Sequence, residues 1–121
     1  VLRNRREWNL PMLPSEYFRR NVWVVYIVDE MGAENRYAIG VDKIMYSTDY
    51  PHGTTTWPKS VWCRTHSLQD VTSVDDRKLI LMDNAIGLYK LDVDKSQINQ
   101  PLYQPGPITV GPQPETAKPG A

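Results

Sequence analysis

The sequence predicts an α/β fold built around two parallel strands. Residues Val22 to Val28 (VWVVYIV) form an unbroken apolar run rich in β-branched and aromatic side chains, and a second short run covers Ile44 to Tyr46. Continuous rather than alternating hydrophobicity is typical of strands that are covered on both faces, as in a parallel sheet. The polar stretch between the two runs is long enough for the helical crossover that parallel strands require.

The crossover and the region after the second strand carry helix signals. Residues Ala33 to Ile39 predict about two helical turns. Gly40 follows them and suits the left-handed conformation that often ends a helix. Downstream, Pro58 and Ser60 predict the start of a helix whose body is Val61 to Leu68.

Two more helices are predicted nearer the carboxyl end. Ser73 can cap the first of them, with Asp76 three residues later, and this helix extends through DDRKLILM. A last short helix covers Asn84 to Leu91. The predicted order is therefore strand, helix, strand, loop and helices.

The composition of the chain changes near residue 93. Residues 93–121 hold six of the 10 prolines and few large apolar side chains. Such a segment cannot bury enough apolar surface to offset its loss of conformational entropy. We therefore divide the chain into an α/β part, residues 1–92, and a Pro-rich tail, residues 93–121, which is predicted to be disordered. A binding role for the tail in an extended Pro-rich conformation is the alternative.

Charge and cysteine content narrow the expected partners and compartment. The 14 Lys+Arg balance 14 Asp+Glu, so the chain has no overall field to attract nucleic acid or an anionic membrane, and neither is an expected partner. No apolar run approaches the roughly 20 residues that span a bilayer. The single cysteine, Cys63, cannot form an internal disulfide, and the cytoplasm is the expected compartment.

The residues best suited to catalysis or ligand binding follow the second apolar run. The segment YSTDYPHG, residues 46–53, brings Asp49 and His52 to the carboxyl end of a strand, where α/β folds bind their ligands. The alternative is that Asp49 initiates a turn by accepting from a backbone N–H near Pro51, and that His52 is an ordinary loop residue. No second His, Cys or carboxylate stands at metal-ligand spacing nearby, so the residues alone leave both interpretations open.

Four segments of the chain, which together reach well beyond this loop, resemble one protein family. They are LPSEYFRRNVWV (13–24), IGVDKIMYSTDYPH (39–52), TWPKS (56–60) and DNAIGLYKLD (83–92). In order and approximate spacing they resemble the closing part of the amidohydrolase-related family, which includes aminocarboxymuconate-semialdehyde decarboxylase and the aromatic-acid decarboxylases. The family fold is a (β/α)8 TIM barrel, which needs roughly 250 residues. The resemblance thus implies that residues 1–92 are the carboxy-terminal portion of such a barrel, incomplete as it stands.

The resemblance also implies a function. Val22 to Val28 would be the seventh barrel strand and Ile44 to Thr48 the eighth, and Asp49 would be the catalytic aspartate that ligates the metal. A carboxylate beside a divalent cation can bind it and exchange a proton with metal-bound water. His52 and Trp57 would lie near the pocket mouth and contact the substrate. The implied cofactor is zinc, with manganese as the alternative, and the implied reaction is hydrolysis or non-oxidative decarboxylation of a small carboxylated or cyclic organic substrate.

Parts of the family pattern differ or are absent. Tyr46 and Thr48 stand where Trp and Ser are common, and Lys90 stands where Gly is common. The family's His-x-His pair and its histidines from the middle strands have no counterpart, since the histidines here are His52 and His66. The chain is therefore expected to be inactive alone and to act with the missing barrel portion or in a homo-oligomer. The alternatives are a non-catalytic truncated or split-subunit fragment, and an independent binding module that uses aromatic side chains and the Pro-rich tail.

Overall fold

A pair of short parallel strands lies at the centre of the computed structural model, which describes residues 10–97 and 111–112. Strand β1 covers Val24–Tyr26 and strand β2 covers Ile44–Tyr46. Val24 pairs with Ile44 and Tyr26 with Tyr46, so the predicted parallel pairing is confirmed. A mixed helical fold around two parallel strands is what the described residues form, and the larger barrel stays a prediction.

Strand β1 is shorter than the apolar run that predicted it. Side chains alternate along a strand, so Tyr26 turns into the core while Val25 turns outward. Tyr26 is 7% exposed and Val25 is 54% exposed. The expectation of a strand covered on both faces is therefore wrong within the described residues. Val22 and Val28, at the two ends of the run, are also exposed and lie outside the strand ladder.

Helix α1 (Pro14–Asn21) precedes β1 and was not predicted. Proline suits the first helical position because its missing N–H would have no partner there. The Glu16 carboxylate accepts from the backbone N–H of Leu13, which satisfies a donor at the helix start. Arg19 Nη2 donates to the carbonyl of Ala38 over 3.1 Å and attaches α1 to the crossover that follows β1.

The crossover holds helices α2 (Glu30–Glu34) and α3 (Arg36–Ile39) and a 3₁₀ turn, Val41–Lys43. It begins before the predicted helix because the Asp29 carboxylate accepts from the N–H of Gly32 at 2.8 Å and caps α2.

The single predicted helix is divided at Asn35, whose backbone leaves the helical conformation between α2 and α3. Gly40 follows α3 with a positive φ of +108°, which favours glycine, but its ψ of +104° lies outside the left-handed helical region that the sequence predicted.

The helices after β2 start where the sequence predicted. Their bounds are α4, Ser60–Ser67; α5, Val74–Lys78; a π-helical turn, Leu79–Asp83; α6, Asn84–Tyr89; and a final 3₁₀ turn, Lys95–Gln97. The predicted cap is confirmed, because Ser73 Oγ accepts from the N–H of Asp76 at 3.2 Å. The Asn84 amide donates to the carbonyls of Val41 and Ile44, both at 2.8 Å, and fastens this helical region to the amino end of β2.

The core lies between the strands and the helices that follow them. Its buried apolar members are Tyr26, Ala33, Ile44, Leu68, Val71 and Ile80. The Arg77 side chain is buried beside them at 1% exposure and donates from Nε to the carbonyl of Val71. A guanidinium this deep requires hydrogen-bond acceptors, since burying an unsatisfied charge is costly.

A polar cluster ties the crossover to α5. Arg36 Nε lies 2.7 Å from Asp76 Oδ2, and Tyr37 Oη lies 2.6 Å from the same oxygen. Burial by itself would raise the pKa of Asp76. The hydrogen bonds from Tyr37 and Arg36 outweigh it and hold that pKa below its ordinary value. Asp76 is therefore ionised and paired in the folded chain at neutral pH.

Most of the predicted disordered tail, residues 93–121, lies outside the described residues. Within residues 93–97 the chain forms the Lys95–Gln97 turn, and Lys95 Nζ pairs with Asp83 Oδ1 at 2.6 Å. None of the helices in the described ranges has the length and apolar character needed to cross a membrane.

Candidate functional site

Asp49 lies three residues beyond the carboxyl end of β2 in a left-handed backbone conformation, with a φ of +54°. Aspartate is among the few residues other than glycine that adopt this conformation readily. The Asp49 carbonyl accepts from the N–H of His52 at 2.9 Å, and the Asp49 N–H donates to Ser47 Oγ at 3.1 Å. Asp49 does start a turn, through its carbonyl, and its side chain makes separate contacts.

The Asp49 carboxylate is held by two side chains of the same loop. The Thr54 hydroxyl donates to Oδ2, and His52 Nδ1 lies 3.1 Å from Oδ1. The Thr54 hydrogen bond is the main cause that lowers the pKa of Asp49, and His52 lowers it further. The carboxylate is thus ionised at neutral pH, the state that a metal ligand or a general base requires.

Hydroxyl and backbone contacts close the base of the loop. The Thr48 carbonyl accepts from the Thr56 N–H at 3.0 Å and from the Thr55 hydroxyl at 2.9 Å. The Trp57 N–H donates to Thr55 Oγ1 at 3.2 Å, and Thr56 Oγ1 lies 2.8 Å from Ser60 Oγ at the start of α4. The loop from β2 to α4 therefore returns to its starting point and presents residues 49–54 as a closed turn.

An open cleft of about 510 Å³ lies beside this turn. It is lined by Thr48, Tyr50, Trp57 and Ser60. The aromatic side chains of Tyr50 and Trp57 are 69% and 65% exposed, so their faces are accessible. An accessible pair of aromatic rings suits a planar or cyclic organic molecule.

The two tyrosines at the carboxyl ends of the strands form the packed floor of this region. The rings of Tyr26 and Tyr46 meet edge to face with centroids 5.6 Å apart. Tyr46 Oη donates to the Ser60 carbonyl at 3.2 Å, which fixes the start of α4. Burial raises the pKa of both phenols, so both are neutral at physiological pH and serve here as packing and positioning groups.

The structure divides the predicted site residues into two groups. Asp49 and His52 are in direct contact, while Trp57 lies in the cleft whose lining begins at Thr48, the residue before Asp49. Neither Asp49 nor His52 belongs to the cleft lining, and the His52 side chain is 78% exposed.

Sequence reasoning missed two contributors to this region. They are Thr54, the partner of the Asp49 carboxylate, and Tyr50, the second aromatic side chain of the cleft. The sequence signal that could have identified Thr54 is the run of three threonines, residues 54–56, which begins five residues after Asp49. Hydroxyl side chains at this distance can fold back onto a carboxylate when the chain turns tightly.

The described residues do not by themselves fit a complete metal site. Within residues 10–97 and 111–112 no group of three or more His, Cys, Asp or Glu side chains is arranged to hold a metal ion. A catalytic zinc takes about three protein ligands. Asp49 can supply one ionised oxygen ligand, and His52 can supply Nε2 because Nδ1 faces Asp49. Further ligands would have to come from elsewhere.

No protein-family model and no curated protein matches the chain. Three features of the geometry indicate the chemistry of the site. These are an ionised carboxylate, its imidazole and hydroxyl partners, and an aromatic cleft beside them.

Proposed function

We propose that this chain is the carboxy-terminal part of a metal-dependent, cytoplasmic enzyme of the amidohydrolase type. The enzyme would hydrolyse, or decarboxylate without oxidation, a small carboxylated or cyclic organic substrate. The observation that carries the proposal is the position of Asp49, an ionised carboxylate just beyond the carboxyl end of β2. Parallel α/β folds bind their ligands at that end of their strands.

Asp49 would hold and transfer a proton in this enzyme. The Thr54 hydroxyl and His52 imidazole lower its pKa, so the carboxylate accepts a proton only transiently and returns it to a reacting group. The same two contacts fix the orientation of both carboxylate oxygens. A proton carrier held in one orientation loses less entropy in the transition state than a free side chain does.

Tyr50 and Trp57 would bind the organic part of the substrate. Their exposed rings line the cleft next to Thr48, and the Thr48 carbonyl is already held by the loop. His52 reaches solvent beside the turn, so its Nε2 is free to contact a carboxylate or hydroxyl of the substrate.

A bound divalent cation, zinc or manganese, would supply an activated water molecule or polarise a substrate carbonyl. Asp49 is the residue of this chain that would ligate it. The other ligands would come from the missing barrel portion or from another subunit. Asp49 would be held by Thr54 and His52 from its own loop in either arrangement.

The test is a comparison of Asp49→Asn with the unchanged enzyme, using the protein translated together with the sequence encoded upstream of Val1. Release of CO2 and hydrolysis are measured on a panel of small aromatic and cyclic carboxylic acids, with zinc or manganese added. Asn keeps the size of the side chain and tolerates the left-handed backbone, but it cannot be ionised. We expect turnover to fall by at least about a hundredfold.

Asp92→Asn is the matched control, because Asp92 is an exposed aspartate outside the site. It should leave turnover unchanged. Near-normal turnover of Asp49→Asn on a substrate that the unchanged enzyme accepts would reduce Asp49 to a turn residue. An upstream sequence without a His-x-His pair after a strand would also count against the proposal.

A second candidate function is a non-catalytic subunit whose strands complete a sheet that another chain supplies. The observation that favours it is the outer face of β1, where Val25 is 54% exposed and, within the described residues, no third strand pairs with the sheet. The two candidates differ in one result. Asn at position 49 would lower turnover of the enzyme, whereas turnover of an assembly that contains this chain as a non-catalytic subunit would not depend on residue 49.

A further inference from the structure

A contact outside the Asp49 loop joins helix α4 to Gly111 of the Pro-rich tail. Trp62 Nε1 donates to the carbonyl of Gly111 over 2.8 Å, across 49 positions of the chain. Gly111 and Pro112 are the two residues of the tail beyond Gln97 that the structure describes. The contact therefore places Gly111 against α4.

The indole that makes this contact is held by its neighbours. The rings of Trp62 and His66 are stacked, with centroids 4.6 Å apart and planes 18° from parallel. His66 Nε2 lies in turn 2.6 Å from Glu30 Oε1 on α2. The Trp62 ring is thus fixed from α2 through His66, and its N–H, which can only donate, points to the tail. Such preorganisation lowers the entropy lost on binding.

The dipeptide Gly111–Pro112 suits a donor of this kind. A residue before proline is kept in an extended conformation, and proline has no N–H to offer in return. Extended Pro-rich segments make no internal hydrogen bonds, so their carbonyls remain free to accept. Pro-rich segments commonly bind to surfaces lined by aromatic side chains for these reasons.

We propose that the Trp62–His66 face of α4 is a binding site for an extended Gly-Pro segment, and that residues 111–112 of the tail occupy it in cis. Because Gly111 is joined to the folded part by a short stretch of the same chain, its effective concentration at the site is about millimolar. A site with a dissociation constant in the millimolar range is therefore about half occupied in cis, although it would bind a separate peptide only weakly. Residues 111–112 thus act as a tethered ligand of α4.

The test places a nitroxide spin label on the full chain in a Val110→Cys, Cys63→Ser background, so the label lies next to the Gly111–Pro112 dipeptide and leaves it unchanged. In the uniformly ¹⁵N-labelled chain, the four indole N–H signals are observed and Trp62→Phe identifies that of Trp62. We expect strong broadening of the Trp62 signal by the attached label. A free nitroxide at the same concentration should not produce it.

Two further samples test the cis arrangement and the need for the indole N–H. Mixing ¹⁵N-labelled untagged chain with unlabelled tagged chain should leave the Trp62 signal sharp, and broadening there would overturn docking in cis. Trp62→Phe keeps a ring beside His66 but removes the donor. It should lower the docked-to-free ratio about fivefold, measured on the His66 backbone amide, as expected for one net hydrogen bond.

A proline pair tests the chemical class of the ligand. Pro112→Ala should reduce the broadening, whereas Pro114→Ala, the matched control two residues on, should leave it unchanged. Equal effects of the two changes, or none from Trp62→Phe, would overturn a site for a Gly-Pro segment. The β1 and β2 amide signals report whether each variant is folded, so loss of the tail contact is distinguished from unfolding.

Discussion

The Nδ1 atom of His52 lies 3.1 Å from Oδ1 of Asp49, inside a turn that Asp49 itself begins. When the imidazole is neutral, donation from Nδ1 to the carboxylate leaves Nε2 as an acceptor. Because the His52 side chain is 78% exposed, that nitrogen is accessible from solvent. The pair therefore offers solvent a proton-accepting nitrogen in addition to the carboxylate.

Thr54→Val should raise the pKa of Asp49. The Thr54 hydroxyl is the largest cause that lowers this pKa, and valine keeps the branched shape without a donor. His52→Gln should produce a smaller rise. The measurement is a ¹³C NMR titration of the Asp49 carboxyl carbon. A rise for His52→Gln that exceeds the rise for Thr54→Val would show that the ring, rather than the hydroxyl, controls the carboxylate.

Asp76→Asn should destabilise the fold by on the order of 3 kcal/mol at pH 7, since it leaves the largely buried Arg36 without its carboxylate. The folded-state pKa of Asp76 lies below its unfolded value. Its stabilisation is therefore complete above about pH 4 and is lost as the pH falls through the folded pKa.

Urea unfolding at pH 7, 5 and 3 checks both statements about Asp76. The Asp76→Asn variant should lose less stability between pH 5 and 3 than the unchanged chain does. Asp75→Asn, at the exposed neighbouring position of α5, should behave like the unchanged chain. If both variants lose the same amount of stability between pH 5 and 3, the Arg36–Asp76 ion pair is not the source of the pH dependence.

Gly40→Ala should destabilise the fold by about 1 to 2 kcal/mol, because Gly40 has a φ of +108° that a side chain adopts only with strain. Its Cβ would also lie 3.2 Å from Asp42 Oδ1. Gly87→Ala is the opposite case: the site is in α6 with open space around a Cβ, and the change should stabilise by about 0.5 to 1 kcal/mol. Thermal unfolding of both variants measures the difference.

Lys90→Gly should stabilise the fold by about 0.5 to 1 kcal/mol. Lys90 ends α6 in the left-handed conformation, with φ +54° and ψ +45°, where glycine has no steric cost. Lys59→Gly serves as the comparison, since Lys59 precedes α4 with a negative φ and gains nothing from glycine. If chemical denaturation finds the two changes equally destabilising, backbone strain at Lys90 does not limit stability.

Val25→Lys should reduce self-association of the chain. Val25 is the exposed apolar side chain at the centre of β1, and a lysine on an open strand opposes pairing with another copy. Val25→Thr keeps the β-branched shape and adds no charge, so it should have a smaller effect. Sedimentation velocity over a concentration series measures both. A chain that is monomeric at all concentrations before any change would contradict the prediction.

Local signals predicted the secondary structure well where one residue controls the backbone. Ser73 caps α5, Gly40 has a positive φ, and β1 pairs with β2 in parallel. Hydrophobic pattern predicted the extent of β1 less well, because a run of apolar residues does not say how many of them find a strand partner. The break at Asn35 was also not predicted, since α2 starts early at the Asp29 cap.

The contacts of the candidate site could not be predicted from the sequence. The position of Asp49 after an apolar run indicated chemistry, but its partner Thr54 is chosen by the path of the turn. The same holds for Trp62, whose tail contact joins residues 49 positions apart. Pairings of this kind depend on tertiary geometry that residue types and spacing do not determine.

The Asn84 amide fastens the amino end of β2 through the carbonyls of Val41 and Ile44, whereas the loop beyond the carboxyl end closes on itself at Thr48. One end of a three-residue strand is thus tied to the helices behind it, and the other carries a self-contained turn. The contacts that hold the strand in place are therefore separate from the side chains that the loop presents. Insertions and exchanges between residues 50 and 54 can alter the chemistry presented there while the anchor at Asn84 keeps the scaffold the same.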